Sequence, residues 1–291
     1  MTTAFFDCGR YRFRMHSTDA TIRVKPLVMG VLNVTPDSFS DGGKFQSLDH
    51  ALSHAEQMIE QGVDIIDIGG ESSRPGSAPV SLEDELQRVI PLIYALRDCG
   101  RAISVDTYKP EVMREAIIAG ADMINDIRGF GSIAAREAVV NSDVGLCVMH
   151  MQKSPTDMQV APQYANVYSE VADFLKIHTK ELLKLGVDRA RLCIDPGFGF
   201  GKTLEHNLEL LRKILDLKIE LDLPVLAGWS RKSMIGAITE KNVEHRLAGS
   251  LAAALAAYNQ GAQIVRVHDV AETVDALKVW DAVYNKIHEA K

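Results

Sequence analysis

Residues able to do chemistry recur at one kind of place along this chain, just after short β-branched runs. Asn33 opens the run Asn33-Val34-Thr35-Pro36-Asp37-Ser38-Phe39-Ser40-Asp41-Gly42-Gly43, and a second apolar run leads into Gly69-Gly70-Glu71-Ser72-Ser73-Arg74-Pro75-Gly76. Asp106-Thr107, Asn125-Asp126, Asp195-Pro196-Gly197, Ser230-Arg231-Lys232-Ser233 and Arg266-Val267-His268-Asp269 each close another. Arg and Lys at such ends, with helix N-terminal amides beside them, suit an anion. Any one of Asp106, Asn125 or Asp195 alone reads as readily as a helix cap or a turn former. Arg74, Arg231 and Arg266 alone could be solvated charges. Their repetition after strand upon strand is what points to one site.

Such repetition requires elements that bring the strand ends together. From about residue 27 the chain alternates β-branched runs with longer amphipathic segments, the pattern of repeated βα units. Eight strands are predicted: 27–34, 64–68, 102–105, 123–127, 145–149, 191–194, 225–227 and 264–267. Several are nearly continuously apolar, as strands covered on both faces should be. Leu52, Ala55, Met58 and Ile59 fall at helical spacing, as do Leu82, Leu86, Val89 and Ile93. The expected fold is α/β, a (β/α)₈ TIM barrel forming a single domain over residues 1–291, with polar strand ends on its catalytic face. A doubly wound open sheet is the alternative, because local pattern does not report closure. Within residues 1–25, the alternation of Tyr11, Phe13 and Met15 against Arg12 and Arg14 predicts a short N-terminal β-hairpin capping the barrel bottom. Residues 152–166 are expected to form a long loop.

The segment Gly197-Phe198-Gly199-Phe200-Gly201-Lys202-Thr203 imitates a nucleotide-binding loop, but its spacing is wrong. A P-loop needs glycine at the position of Pro196, and the dinucleotide fingerprint needs one at Lys202. Its glycines are expected to let the backbone approach a flat ligand beside Asp195. His150 has no neighbouring ligand partner and reads as a barrel-mouth residue.

With 46% hydrophobic and 24% charged residues, the chain of 291 residues can bury a full core. A formal net charge of -7 disfavours nucleic acid and anionic membranes as partners, since both are bound through clustered cations. Cys8, Cys99, Cys147 and Cys193 form no Cys-x-x-Cys pair and are expected to be reduced. No signal peptide or membrane span is apparent, so a cytoplasmic protein is expected.

The segments from Gly30 (GVLNVTPDSFSDGG), Asp67 (DIGGES), Ser104 (SVDT), Ile124 (INDI), Asp195 (DPGFGFGK), Ser230 (SRKS) and Arg266 (RVHD), in this order, resemble dihydropteroate synthases over nearly the whole chain. The resemblance implies a (β/α)₈ barrel and a transferase of folate biosynthesis, the target of sulfonamides. That enzyme condenses 6-hydroxymethyl-7,8-dihydropterin pyrophosphate with p-aminobenzoate. It further implies that Asp106, Asn125, Asp195 and Lys232 hold the pterin and that Phe200 contacts substrate. Asn33 would associate with Mg²⁺, and Arg266 with His268 would take the pyrophosphate. Phe39, Asp41, Ser73, Arg74 and Pro75 would close over the p-aminobenzoate pocket together with Lys232 and Ser233. Asp106, Lys232, Arg266 and His268 are the expected catalytic set, and a homodimer is the expected assembly. Ser73 stands where the family usually has threonine, which keeps the hydroxyl and loses a methyl contact. The alternative is a homologue that binds pterin without turnover.

Overall fold

The structure is a computed structural model describing residues 5–16, 24–34, 44–72 and 76–284. An antiparallel hairpin comes first, β1 (Phe5–Cys8) and β2 (Tyr11–Arg14). Eight parallel strands follow: β3 (Leu27–Asn33), β4 (Ile65–Gly69), β5 (Ala102–Asp106), β6 (Met123–Asp126), β7 (Gly145–Met149), β8 (Leu192–Asp195), β9 (Leu226–Ala227) and β10 (Ile264–Val267). They pair in the order β8-β7-β6-β5-β4-β3-β10-β9, and a parallel bridge between Ile194 and Val225 joins the two ends of the sheet. The open-sheet alternative is thereby set aside in favour of the barrel. Every strand lies within one residue of its predicted range at each end. Asp64, read as strand, instead precedes β4 and accepts the amide of Val28 at 2.8 Å.

Helices cover the outside: α1 (Lys44–Glu60), α2 (Leu82–Leu96), α3 (Pro110–Ala119), α4 (Ile133–Val139), α5 (Val167–Lys184), α6 (Leu204–Arg212), α7 (Ile214–Leu221), α8 (Ser233–Thr239), α9 (Leu247–Asn259) and α10 (Val270–Tyr284). Their starts follow local chemistry. Ser81 caps α2 by accepting the amide of Asp84, Pro110 opens α3, and Thr203 forms a capping box with His206 at α6. Val89, Leu92, Ile93 and Leu96 of α2 are buried. The predicted loop spans the chain from β7 to α5.

Side chains alternate along each strand. One set, including Val28, Leu32, Ile66, Ile68, Ile103, Val105, Leu146 and Val148, packs in the same core as the helices. The other set faces the barrel interior and changes character along its length. Near the strand starts it is apolar, with Met29, Ile65, Ala102, Met123, Leu226 and Ile264 in one cluster with the hairpin residues Phe6, Cys8 and Met15. Two or four residues further on it becomes Asp67, Ser104, Asp106, Asn125, Asp195 and Arg266. Phe6 is fully buried, and the hairpin closes the apolar end as its sequence predicted. Arg10 ties the turn down by donating to Asp122 through its backbone N (3.1 Å), Nε (2.8 Å) and Nη2 (2.8 Å). Gly9 (φ 57°) permits this approach, since a Cβ there would sit 2.7 Å from the Asp122 Cα. All four cysteines are free thiols.

Candidate active site

The polar ends of the inward strand rows meet at the barrel floor. Arg266 of β10 donates from Nε to Asp67 Oδ2 at 2.6 Å and from Nη2 to Asp106 Oδ2 at 2.9 Å. Asn125 of β6 reaches Asp67 Oδ2 through Nδ2 at 3.4 Å. Burial would favour loss of the Arg266 proton, but Asp67 and Asp106 outweigh it and hold the guanidinium charged, above its ordinary value. Asp106 is pushed up to about 7 by burial, with Asp67, Glu85 and Asp126 adding to the shift and Arg266 opposing it. Among the described residues, the buried atoms Asp67 Oδ1, Ser104 Oγ and Asn125 Oδ1 have no hydrogen-bond partner. Buried acceptors are rarely left so, and their gathering at one level of the barrel marks where polar ligand atoms or water belong.

Asp195 and Lys232 form the opposite side. Asp195 Oδ1 accepts the amide of Gly197 at 2.7 Å, which leaves Oδ2 outside that bond. Burial raises Asp195 even though Lys232 opposes it, and burial lowers Lys232 to about 8. Lys232 Nζ donates to the Phe198 carbonyl at 2.5 Å and lies 4.7 Å from the centre of the Phe200 ring. Phe200 packs with Ile127, Met149, Met151 and Met158 into an apolar wall, the flat counterpart to the polar floor. Ser233, the first residue of α8, is exposed beside it.

His268 stands over Arg266. Its backbone amide donates to Ser230 Oγ at 3.1 Å, and its Nδ1 lies 3.1 Å from the same oxygen. With Oγ accepting the amide, the hydroxyl proton can go to Nδ1, which leaves the ring proton on Nε2. Burial, then Arg266 and Arg231, depress His268 to about 3, so the imidazole is neutral, and in the tautomer that accepts from Ser230 its donor is Nε2. Arg231 takes a left-handed backbone (φ 57°), with its amide on Ser250 Oγ at 3.0 Å, the Arg246 Nη1 on its carbonyl at 3.1 Å and its guanidinium on Asp269. This turn points Arg231 outward between two residues that face the site.

Asn33 ends β3 in register with Gly69 and, through it, Asp106. Its Oδ1 lies 3.3 Å from where a Gly69 Cβ would be, so a side chain there would crowd the amide. Next to it Lys109 bridges Glu71 and the buried Glu85, and Tyr108 donates to Glu71 at 3.0 Å, fastening the chain after β4 to the chain after β5. Phe39, Asp41, Ser73, Arg74 and Pro75 lie outside the described residues.

Two readings of the sequence are corrected here. The glycines after Asp195 make room for protein rather than ligand: a Cβ at Gly197 would meet the His150 carbonyl at 1.8 Å, and one at Gly201 would meet Gln152 at 2.8 Å. His150 does not open into the mouth. Its Nδ1 lies 2.9 Å from Lys202 Nζ, its ring packs edge-on against Phe174 at 4.9 Å, and burial holds it down to about 2. Lys202 is buried and turned back into its own loop, donating to the carbonyls of Gly197 (2.9 Å) and Phe200 (3.0 Å).

Sequence reasoning placed Asp106, Asn125, Asp195, Lys232, Arg266 and His268 at one mouth, and the structure brings them together. It missed Asp67, and it placed Ser230 at the mouth without a role. The signal for Asp67 was a carboxylate inside the run Ile65-Ile66-Asp67-Ile68, where a charge is buried only with a partner. For Ser230 no signal separated it from a turn former.

The sequence pattern of the pterin binding enzyme family matches residues 29–268. Dihydropteroate synthase of Haemophilus influenzae is 51% identical over 263 residues, covering 89% of this chain and 94% of that protein. The crystal structure of Burkholderia cenocepacia dihydropteroate synthase complexed with 7,8-dihydropteroate superposes with a TM-score of 0.86 at 49% identity, covering 97% of each chain. The Xanthomonas albilineans enzyme with 4-aminobenzoic acid gives a TM-score of 0.87 at 46% identity, covering 97% of this chain and 98% of the other.

Proposed function

The chain belongs to the pterin-binding enzymes and, within them, to the dihydropteroate synthases, a premise from which we propose how its barrel mouth works. The reaction joins 6-hydroxymethyl-7,8-dihydropterin pyrophosphate to p-aminobenzoate and yields 7,8-dihydropteroate and pyrophosphate. The observation that carries the reading is the cluster of unpartnered or half-engaged acceptors at the floor, Asn125 Oδ1 and Asp195 Oδ2 among them, beneath the apolar wall of Phe200 and Met149. A pterin is a flat ring with a donor-rich edge, and these acceptors suit that edge. Lys232 sits between Asp195 and Phe200 and would secure the ring from the side.

The exocyclic C–O bond breaks first, because the electron-rich dihydropterin can spread positive charge from its methylene carbon. Arg266 and the Nε2 donor of His268 stabilise the negative charge that develops on the departing pyrophosphate. The p-aminobenzoate nitrogen then bonds to the methylene carbon and gives up a proton to solvent or pyrophosphate. No covalent enzyme intermediate is needed. Phe39, Asp41, Ser73, Arg74 and Pro75, with Ser233 and Lys232, would form the p-aminobenzoate pocket and keep water from the cation.

Mg²⁺ belongs to the same proposal. Among the described residues no group of three His, Cys, Asp or Glu side chains could hold a metal alone. A single hard oxygen, Asn33 Oδ1, fits an ion that takes most of its ligands from phosphate and water. Bound there, Mg²⁺ would supply charge neutralisation to the pyrophosphate, while Asn33 orients it. The further proposal of a homodimer rests on the outer faces of α8 to α10, where Ile238, Val279 and Val283 are exposed and α9 is apolar nearly all round. No helix of the described residues is long and apolar enough to cross a membrane. The four free thiols favour a reducing compartment, hence the cytoplasm.

Pyrophosphate release is the direct test. Purified protein with pterin pyrophosphate and Mg²⁺ should release pyrophosphate and form pteroate when p-aminobenzoate is added. Folded protein giving no pteroate would refute the reading, and full turnover in chelator would refute the metal.

A further inference from the structure

Arg266 is held by two carboxylates of different character. Asp106 ends β5, accepts Nη2 and has 11% of its side chain exposed toward the mouth. Asp67 is fully buried midway along β4, accepts Nε at 2.6 Å and also lies within reach of the Asn125 amide. A carboxylate and a guanidinium left to themselves form a bidentate pair. Here the fork is split between two strands, which fixes the guanidinium plane and leaves the second terminal nitrogen, Nη1, outside both bonds. Burying a carboxylate at 0% exposure is costly unless its charge and hydrogen bonds are used.

We propose that Asp67 is a positioning residue for the reaction: it grips Arg266 and the Asn125 amide from beneath, so that Asp106 can release the arginine to a substrate without the arginine losing its aim. The inference rests on the assignment of Arg266, Asp106 and Asn125 to the substrate pocket. Without the Asp67 charge, Arg266 has one carboxylate left and closes bidentately onto Asp106. That closure occupies the acceptor the pterin requires and turns the guanidinium away from the pyrophosphate. The charged groups around Asp106 are Arg266 of β10, Asp67 of β4, Glu85 of α2, Asp126 of β6 and Lys232 after β9.

A double-mutant cycle with D67N and R266A decides the matter, reading kcat, the KM for each substrate and the melting temperature. D67N nearly conserves volume. It is expected to lower kcat by about 10- to 100-fold, the scale of a misaimed catalytic group, with KM for p-aminobenzoate changed by less than about threefold. In the R266A background the same substitution should change kcat by less than about twofold. It should also raise the melting temperature there, because R266A alone leaves the Asp67 carboxylate buried without its cation. Equal losses of kcat in both backgrounds, a D67N enzyme within about twofold of wild type, or a lower melting temperature of the double variant relative to R266A would each overturn the proposal. Should D67N fail to fold, the comparison of R266A with the double variant still decides it. Wild-type protein that makes no pteroate would count against the activity itself, and the melting temperatures would then judge the Asp67 coupling separately.

Discussion

Truncating Phe6 to alanine should cost much stability and almost no chemistry. The ring is fully buried at the apolar end of the barrel among Cys8, Met15, Met29, Ile65, Ala102 and Met123. Phe-to-Ala changes in cores cost about 3–5 kcal/mol, depending on how far the site collapses. Collapse is restricted here, because the ring tip lies 2.9 Å from where a Gly145 Cβ would be and the wall on that side is strand backbone. The upper half of the range is therefore expected, roughly 4–5 kcal/mol. For a chain of this size about 2 °C per kcal/mol gives a fall in melting temperature of roughly 8–10 °C. Urea unfolding followed by circular dichroism measures the first quantity and a thermal scan the second. Turnover at 20 °C should stay within about twofold of wild type, since the reacting groups stand at the far ends of the strands. A loss under 1 kcal/mol would show that the hairpin does not seal the barrel. Undiminished stability with a large fall in kcat would refute the division between a structural end and a catalytic end.

Three further outcomes are expected. In D195N the side-chain oxygen should keep the Gly197 amide and turn its NH₂ toward a ligand donor, weakening an unreactive pterin by about 1–3 kcal/mol; unchanged calorimetric affinity would remove Asp195 from the pterin site. Below pH about 7 Asp106 gains a proton and stops accepting, while above about 8 Lys232 loses its charge, so kcat/KM should pass through a maximum between them; a flat profile from pH 6 to 9 would contradict both roles. G197A forces a Cβ to 1.8 Å from the His150 carbonyl at φ 70°, so loss of soluble protein or destabilisation beyond about 4 kcal/mol is expected, and a wild-type melting curve would show that the loop can move aside.

The barrel was legible because parallel strands covered on both faces read as apolar runs, and seven of the eight runs here lead into residues no core would choose. Asp106, Asn125 and Asp195 could be placed at one mouth for that reason alone. What could not be read was how side chains settle among themselves. Lys202 and His150 look available in the sequence, yet they satisfy each other and two loop carbonyls beneath the surface. The Gly197 and Gly201 spacing suggested room for a ligand, whereas the neighbour that demands glycine is a carbonyl about fifty residues earlier in the chain. Asp67 stayed hidden because its partner, Arg266, is 199 positions away and meets it only when the ring closes.

Among the described residues, the carboxylates of the floor, Asp67, Asp106 and Asp195, outnumber its cations, Arg266 and Lys232, by one. Both cations already have partners before any substrate arrives. A pocket that gathers anions by surplus positive charge holds a freed anion as firmly as a bound one, and its turnover waits on escape. This floor has no such surplus. If Arg266 takes the pyrophosphate as proposed, the freed anion would face carboxylates that reclaim the arginine, and the enzyme would reset by restoring its own ion pairs.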